Sequence, residues 1–291
     1  MKSSDIKTGL VVVNYNDHQT TFKFIQNIKN FKNIDLIVVV DNCSTDDSYK
    51  KLKVLEDSSL KIIKSDKNGG YGYGNNIGIK YAIKILGKCN IIITNPDIEF
   101  KNKDIKILTD GLNKDEDCAV VAPIILENGK ENKGWKLPTI YQDVLLNIVF
   151  IHRYLRKPLL FYESKWYNKK HVQVDCVSGC FFIIKSEIME KINYFDENIF
   201  LYYEENVLGK KISLINKKIF IDTEVKIVHH HSISIDNSVS KIKKYKILKK
   251  SQMYYHKNYN NASMVGKSLL YLTNKLSLFV LYIYYLFKQG R

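Results

Sequence analysis

Between residues 10 and 123, short runs rich in Val or Ile alternate with stretches of helical hydrophobic spacing, and this alternation limits the possible folds more than any other feature. The runs fall at 10–14, 36–41, 60–64, 91–94 and 119–123, with helical patterns near 20–30, 46–56, 73–86 and 104–113. Such β-α-β alternation predicts a parallel sheet with helices on both faces. A chain of 291 residues has room for one large domain, or a domain with appendages. Ligands of such sheets gather at the carboxyl ends of the strands. Asn14-Tyr15-Asn16, Asp41-Asn42 and Asn95-Pro96-Asp97 follow the first, second and fourth runs. Asn and Asp also end strands as ordinary turn residues. Three such tails in register favour a site.

Residues 128–170 break the pattern, and 177–208 then supply a small-residue strand, a helix and the segment FDENIFLYYEEN. Glu204 and Glu205 stand side by side there, next to a cluster of aromatics, where desolvation and like charge both oppose ionisation. Adjacent acids in that setting point to use, although two Glu also favour a helix start. A helix is expected from Glu204, strands near 218–222 and 225–229, and two C-terminal helices. The later strand ends in His229-His230-His231, and three histidines in a row are seldom all packing residues. The glycine-rich stretch 67–82 follows the third run rather than the first, so a dinucleotide fingerprint is not met. Its glycines and helix start still bring backbone N–H groups towards a phosphate or sugar.

In order and spacing these motifs resemble the family 2 inverting glycosyltransferases of the GT-A fold, over residues 9–234. The resemblance implies a Rossmann-like, mostly parallel α/β sheet flanked by helices, with residues 1–235 as the transferase domain and 236–291 as a basic, amphipathic helical extension. The family's DNxSxD pattern is matched by Asp41, Asn42 and Ser44, with Asp41 free to accept the imide N–H of a uracil or thymine base. Its N-x-G…N-x-G pattern is matched by Asn68, Gly70, Asn76 and Gly78. Asn14, Asn16, Asn95 and Asp97 complete the implied donor site. Asn95-Pro96-Asp97 stands where the family often has Asp-x-Asp, a variant found in its rhamnosyltransferase-like branch. Asp97, with His229 or His231, would contact Mg²⁺ or Mn²⁺ bridging the donor diphosphate, and His229 fits the family's spacing to Ser234 best. Glu205 falls at the catalytic base and Glu204 at the preceding acid, with Glu204 as the rival base. Val207 replaces a third acid.

The implied activity is metal-dependent, inverting, hexosyltransferase-type transfer from a UDP-sugar or dTDP-rhamnose to a polysaccharide or lipid-linked oligosaccharide, in cell-surface polysaccharide synthesis. A nucleotidyltransferase would need a basic, glycine-rich loop where Asn14-Tyr15-Asn16-Asp17 stands. A degraded transferase serving as a non-catalytic binding module is the other alternative. The formal charge of +15 asks for an anionic partner without saying which. Seven lysines and no acid lie within 241–257, beside an apolar tail rather than across an aromatic platform, which argues against nucleic acid. Residues 276–287 are the uninterrupted part of that tail, too short to span a bilayer. An interfacial helix on anionic lipid is therefore expected, with 144–162 as a second contact. Packing on the core or a homodimer contact is the alternative. No secretory signal pattern leads the chain, and its five cysteines are odd in number and scattered, so a cytoplasmic protein, peripheral on the inner face of the plasma membrane, is expected.

Overall fold

The Val- and Ile-rich runs become strands of a ten-stranded sheet in the computed structural model, which describes residues 6–230 and 241–289. Strands β1 (Thr8–Asn14), β2 (Leu36–Asp41), β3 (Leu60–Lys64) and β4 (Asn90–Thr94) are parallel, in the order β3-β2-β1-β4. Helices α1 (His18–Ile28), α2 (Ser48–Lys53) and α3 (Tyr71–Leu86) connect them. Side chains alternate along each strand. Val11, Val38, Val40, Ile91 and Ile93 therefore enter one core, while Leu10, Val12, Ile37, Val39 and Ile92 enter the other. Both faces of β1, β2 and β4 are dry, so these runs carry no polar alternation, whereas the edge strand β3 carries Lys61 and Lys64.

Beyond β4 the sheet is mixed. β5 (Ile98–Glu99) leads into α4 (Asn102–Lys114), and β6 (Cys118–Glu127) turns through Asn128 and Gly129, both at positive φ, into β7 (Lys130–Asn132). β8 (His171–Val174), β9 (Phe181–Lys185) and β10 (Lys218–His229) follow. β9 runs antiparallel between β4 and β6, while β10 is parallel to β6 and antiparallel to β5 and β8. The strand expected to stop at Pro123 continues to Glu127. Its partner absorbs the interruption: Asp222 pairs with Pro123 and Lys226 with Ile124, so residues 223–225 bulge where proline offers no N–H. That bulge is why the strand reads as two in the sequence.

Register then decides what shares an edge. Asn14 aligns with Asp41, Asp41 with Lys64, and Val12 with Thr94. Thr94 pairs with Phe181, so the start of β9 lies beside the end of β4. The ends of β6 and β10 lie at the same edge, because β6 is antiparallel to β9 and parallel to β10.

The irregular stretch supplies α5 (Ile140–Leu146) and α6 (Val149–Leu160), and α7 (Ser186–Lys191) and α8 (Glu204–Leu214) follow β9. The C-terminal helices are α9 (Lys241–Asn258) and α10 (Met264–Gln289), and α10 packs on α5 and α9. Asn147 Nδ2 donates to Asn274 Oδ1 at 2.8 Å, and Gly266 sits where a Cβ would meet Ile140 at 3.0 Å. Lys267, Asn274 and Lys275 do not interrupt α10. Its residues Met264–Phe287 are long and apolar enough to cross a bilayer by length and composition, spanning about 36 Å at helical rise. Leu270, Asn274 and Ser277 face the protein, while Leu272, Phe279 and Phe287 are exposed.

Candidate active site

The first strand tails form one hydrogen-bonded unit. Asn14 Nδ2 donates to Asp41 Oδ1 at 2.8 Å, and the Ser44 hydroxyl donates to the same oxygen at 2.6 Å. Ser44 N–H donates to Asp41 Oδ2 at 3.1 Å, and Asn16 N–H to Ser44 Oγ at 2.9 Å. Asp41 is thus fully buried and engaged, rather than free to meet a base. A carboxylate ending a buried strand needs donors, and its neighbours supply them. Asp41 organises the loop that Asn16, Ser44 and Thr45 present.

Asn42 Nδ2 donates to Asn68 Oδ1 at 3.1 Å and to the Gly70 carbonyl at 3.0 Å, tying the loop after β3 to the end of β2. Gly70 has φ +94°, and a Cβ there would lie 2.2 Å from the Phe200 carbonyl oxygen. Tyr71 N–H donates to that same oxygen at 3.0 Å, so this loop abuts the turn ahead of α8. Asn76 faces elsewhere. Its amide donates to the Phe195 carbonyl and Glu197 and accepts from Phe195 N–H, so it braces the chain ahead of the acids and leaves nothing for a ligand.

Asn95 sits at the same edge, its N–H donating to the Cys180 carbonyl at 2.9 Å. Asp97 and His229 meet there. His229 Nε2 lies 3.3 Å from Asp97 Oδ1, and Nδ1 lies 3.3 Å from Glu127 Oε1. Burial pulls the His229 imidazolium down, but hydrogen bonding and charge from Asp97 and Glu127 outweigh it and hold it above the usual range. Among the described residues no three His, Cys, Asp or Glu side chains form a metal cage. Asp97 and His229 offer an oxygen and an imidazole side by side, with Glu127 behind the ring as an orienting partner. That pair suits a hard divalent cation whose remaining positions are taken by phosphate oxygen and water. His230 turns to Glu99 at 2.8 Å, while His231 and Ser234 lie outside the described residues.

Glu204 and Glu205 open α8 behind Tyr202 and Tyr203, which both have positive φ, 68° and 69°. Two consecutive non-glycine residues in that region are costly and need outside support. Tyr203 has it: its hydroxyl donates to Asp143 Oδ2 at 2.6 Å and accepts from Gln252 at 3.0 Å. His256 approaches the same Asp143 oxygen at 2.7 Å, so α9 grips the turn that aims the acids. Gly179 N–H donates to Glu205 Oε1 at 3.3 Å, and Tyr71 donates to the Gly179 carbonyl at 2.6 Å. Burial raises the Glu205 carboxyl above its usual range. It also raises Glu204 well above it, with the Glu205 charge adding to the effect.

Two groups register the proximity of these parts. Burial first pushes the Cys180 thiol up to about 12, against a hydrogen bond from Ser178, and the charges of Asp97, Glu127 and Glu205 add to it. Burial, then Cys180, Glu204 and Glu205, raise the Tyr71 phenol. The strand-tail loops, the Asp97–His229 pair and the acids therefore share one edge of the sheet. Sequence reasoning missed Glu127, Gly179, Asp143 and His256. Only the Ile-Ile-Leu-Glu continuation past Pro123 hinted at the first.

A sequence profile described as Glycosyl transferase family 2 matches residues 10–192. A hexosyltransferase of low-salt glycan biosynthesis, Agl10 of Haloferax volcanii, is 28% identical over 200 residues, which cover 68% of this chain and 58% of that protein. The chain thus spans under two thirds of that relative's length. GalNAc-T7 in a structure with UDP, GalNAc and Mn²⁺ superposes with a TM-score of 0.61 at 13% identity, over 92% of this chain and 54% of the other. The mannosyltransferase PcManGT of Pyrobaculum calidifontis, with GDP-Man and Mn²⁺, gives 0.59 at 13% identity, over 94% and 72%. These two likenesses establish the fold as GT-A-like.

Proposed function

The chain belongs to glycosyl transferase family 2, and from that premise we propose that it performs inverting sugar transfer from a nucleoside diphosphate, with Glu205 as the base. The observation that carries this reading is the position of Glu205, half-buried beside the Gly179 amide at the edge that also holds Asp97 and the Asn14–Asp41–Ser44 unit. An attacking hydroxyl must lose its proton as its oxygen bonds to the anomeric carbon. Glu205 takes that proton. The bond between the anomeric carbon and the diphosphate oxygen breaks, and the nucleoside diphosphate leaves with the electron pair. A carboxyl raised by burial is a stronger base than an exposed one, which suits proton removal near neutral pH. Glu204 is the rival base, but its deeper burial and stronger shift favour the protonated form. The charge on Glu205 further opposes ionisation of Glu204.

Asp97 and His229 would hold Mg²⁺ or Mn²⁺, which would neutralise charge on the departing diphosphate. His229 must then release the proton that Asp97 and Glu127 now stabilise. The Asn16, Ser44 and Thr45 loop and the Asn68–Gly70 backbone would hold the nucleoside and phosphates. The nucleotide ligands named for the structural neighbours, UDP and GDP-Man, support a nucleotide donor. The Asn95-Pro96-Asp97 variant of the rhamnosyltransferase-like branch supports dTDP-rhamnose, with a UDP-sugar as the alternative donor and a polysaccharide or lipid-linked oligosaccharide as acceptor. The exposed apolar side of α10 and the lysines of α9 support peripheral attachment to the inner face of an anionic membrane.

Donor hydrolysis across UDP-, dTDP- and GDP-sugars, with and without Mn²⁺, tests the reading. Turnover of one donor class, lost in Glu205→Gln while donor binding survives, is the expected result. Absence of binding and turnover with every donor leaves a non-catalytic module instead.

A further inference from the structure

A cavity of about 480 Å³ opens on Glu205 and runs between α8 and the helices α5, α6 and α9. Trp135, Leu160 and Phe161 line it with Arg156 and Lys249. Lys249 is the anomaly. The residue is 8% exposed, and its ammonium donates to Asn147 Oδ1 and lies 4.7 Å from the centre of the Tyr245 ring. Among the described residues no carboxylate lies within ion-pair distance of it. The neighbouring Asp143 is committed to His256 and Tyr203. Burial lowers the lysine to about 8, against the charge of Asp143. The other charged or titratable groups around it are His152 and Arg156 of α6, His256 of α9, Tyr203, and Glu205 across the cavity. A buried ammonium beside open space, whose nearest carboxylate lies beyond ion-pair distance and already serves His256 and Tyr203, is the setting for an incoming anion.

We propose that this cavity is the acceptor subsite and that Lys249, with Arg156 at its rim, selects an acceptor carrying a phosphoryl group. The proposal rests on the transferase reading, since the acceptor must reach Glu205. Arg156 stacks on Phe161 at 5.5 Å, so one wall joins a cation to an apolar surface. That wall continues into Leu160 and Trp135 inside the cavity. A phosphate attached to a hydrocarbon chain fits this surface, with the phosphate at Lys249 and the chain along Trp135, Leu160 and Phe161.

The chain has two tryptophans, so Trp166→Phe leaves Trp135 as the indole that reports on the cavity. Fluorescence of that full-length variant is titrated with octyl phosphate, octyl glucoside, inorganic phosphate, and phosphatidylcholine vesicles with or without phosphatidic acid. Octyl phosphate is expected to saturate the signal and octyl glucoside to leave it unchanged. Adding Lys249→Met should weaken octyl phosphate about tenfold or more, as removal of a charge-assisted partner does. Arg156→Gln, at an exposed position, should weaken it less. Octyl phosphate and phosphatidic acid vesicles outcompeting inorganic phosphate point to a lipid phosphate, and equal affinities to a soluble phosphorylated acceptor. Should Lys249→Met fail to fold, pH decides: affinity must fall about tenfold between about pH 7.5 and 9.5 as the ammonium deprotonates. A flat profile, equal binding by Lys249→Met, or no response to octyl phosphate overturns the proposal. Nucleotide binding, followed separately by calorimetry, shows whether the transferase reading stands when this one falls.

Discussion

The strand-tail side of the cleft and the acid side are built on opposite principles. Around Asn14, Asp41, Asn42 and Ser44, side chains bond one another and the loops they support. On the acid side, Glu204 Oε2 is buried without a hydrogen-bond partner among the described residues, two tyrosines sit at positive φ, and Lys249 is buried away from any ion pair. Fully satisfied polar groups hold a shape, whereas unsatisfied ones store free energy that chemistry or a ligand can release. The contrast fits a rigid donor platform facing a site set for proton transfer.

Substitutions can break that contrast. The largest effect is expected at the proposed base, where Glu205→Gln should cost roughly 10²- to 10⁴-fold in transfer rate with donor affinity nearly unchanged. Equal losses in both, by single-turnover kinetics and calorimetry, would make Glu205 part of the platform. Next comes Gly70→Ala, which combines the +94° φ with a 2.2 Å approach to Phe200. It should destabilise by about 3 kcal/mol in urea unfolding and weaken donor binding. Tyr203→Phe deletes the hydroxyl between Asp143 and Gln252 and should cost about 1–3 kcal/mol, slowing turnover more than it raises the donor KM.

The smallest effect is in pH. Glu204 and Glu205 hold their protons more tightly folded than unfolded, so their contribution to stability is complete below the ordinary value of 4.5 and is lost as pH rises through their raised values. With Glu205 as the proposed base, activity should rise over that same window. Stability and turnover should therefore move in opposite directions, and parallel unfolding and rate profiles check it. In Glu204→Gln the stability slope should flatten.

What could be read from the sequence divides along the same line. The Val and Ile runs are local patterns, and so is the order of the tails they end in, so the parallel half of the sheet was legible. The pairing of acids beside aromatics was also local. The motif spacing around Asn76 says nothing of Phe195 and Glu197, which are far away in sequence yet take its amide. Pro123 looked like a strand end because its accommodation lies in a bulge on another strand. Lys249 looked like one lysine among many until the fold buried it.

The grip on Tyr203 has a consequence for synthesis. Asp143 precedes the acids, but Gln252 and His256 follow them by some fifty residues. A nascent chain that has delivered α8 still lacks half of the clasp that holds its tyrosine turn. Alignment of the acids must therefore wait until the segment through His256 has left the ribosome, so catalytic competence arrives only late in translation.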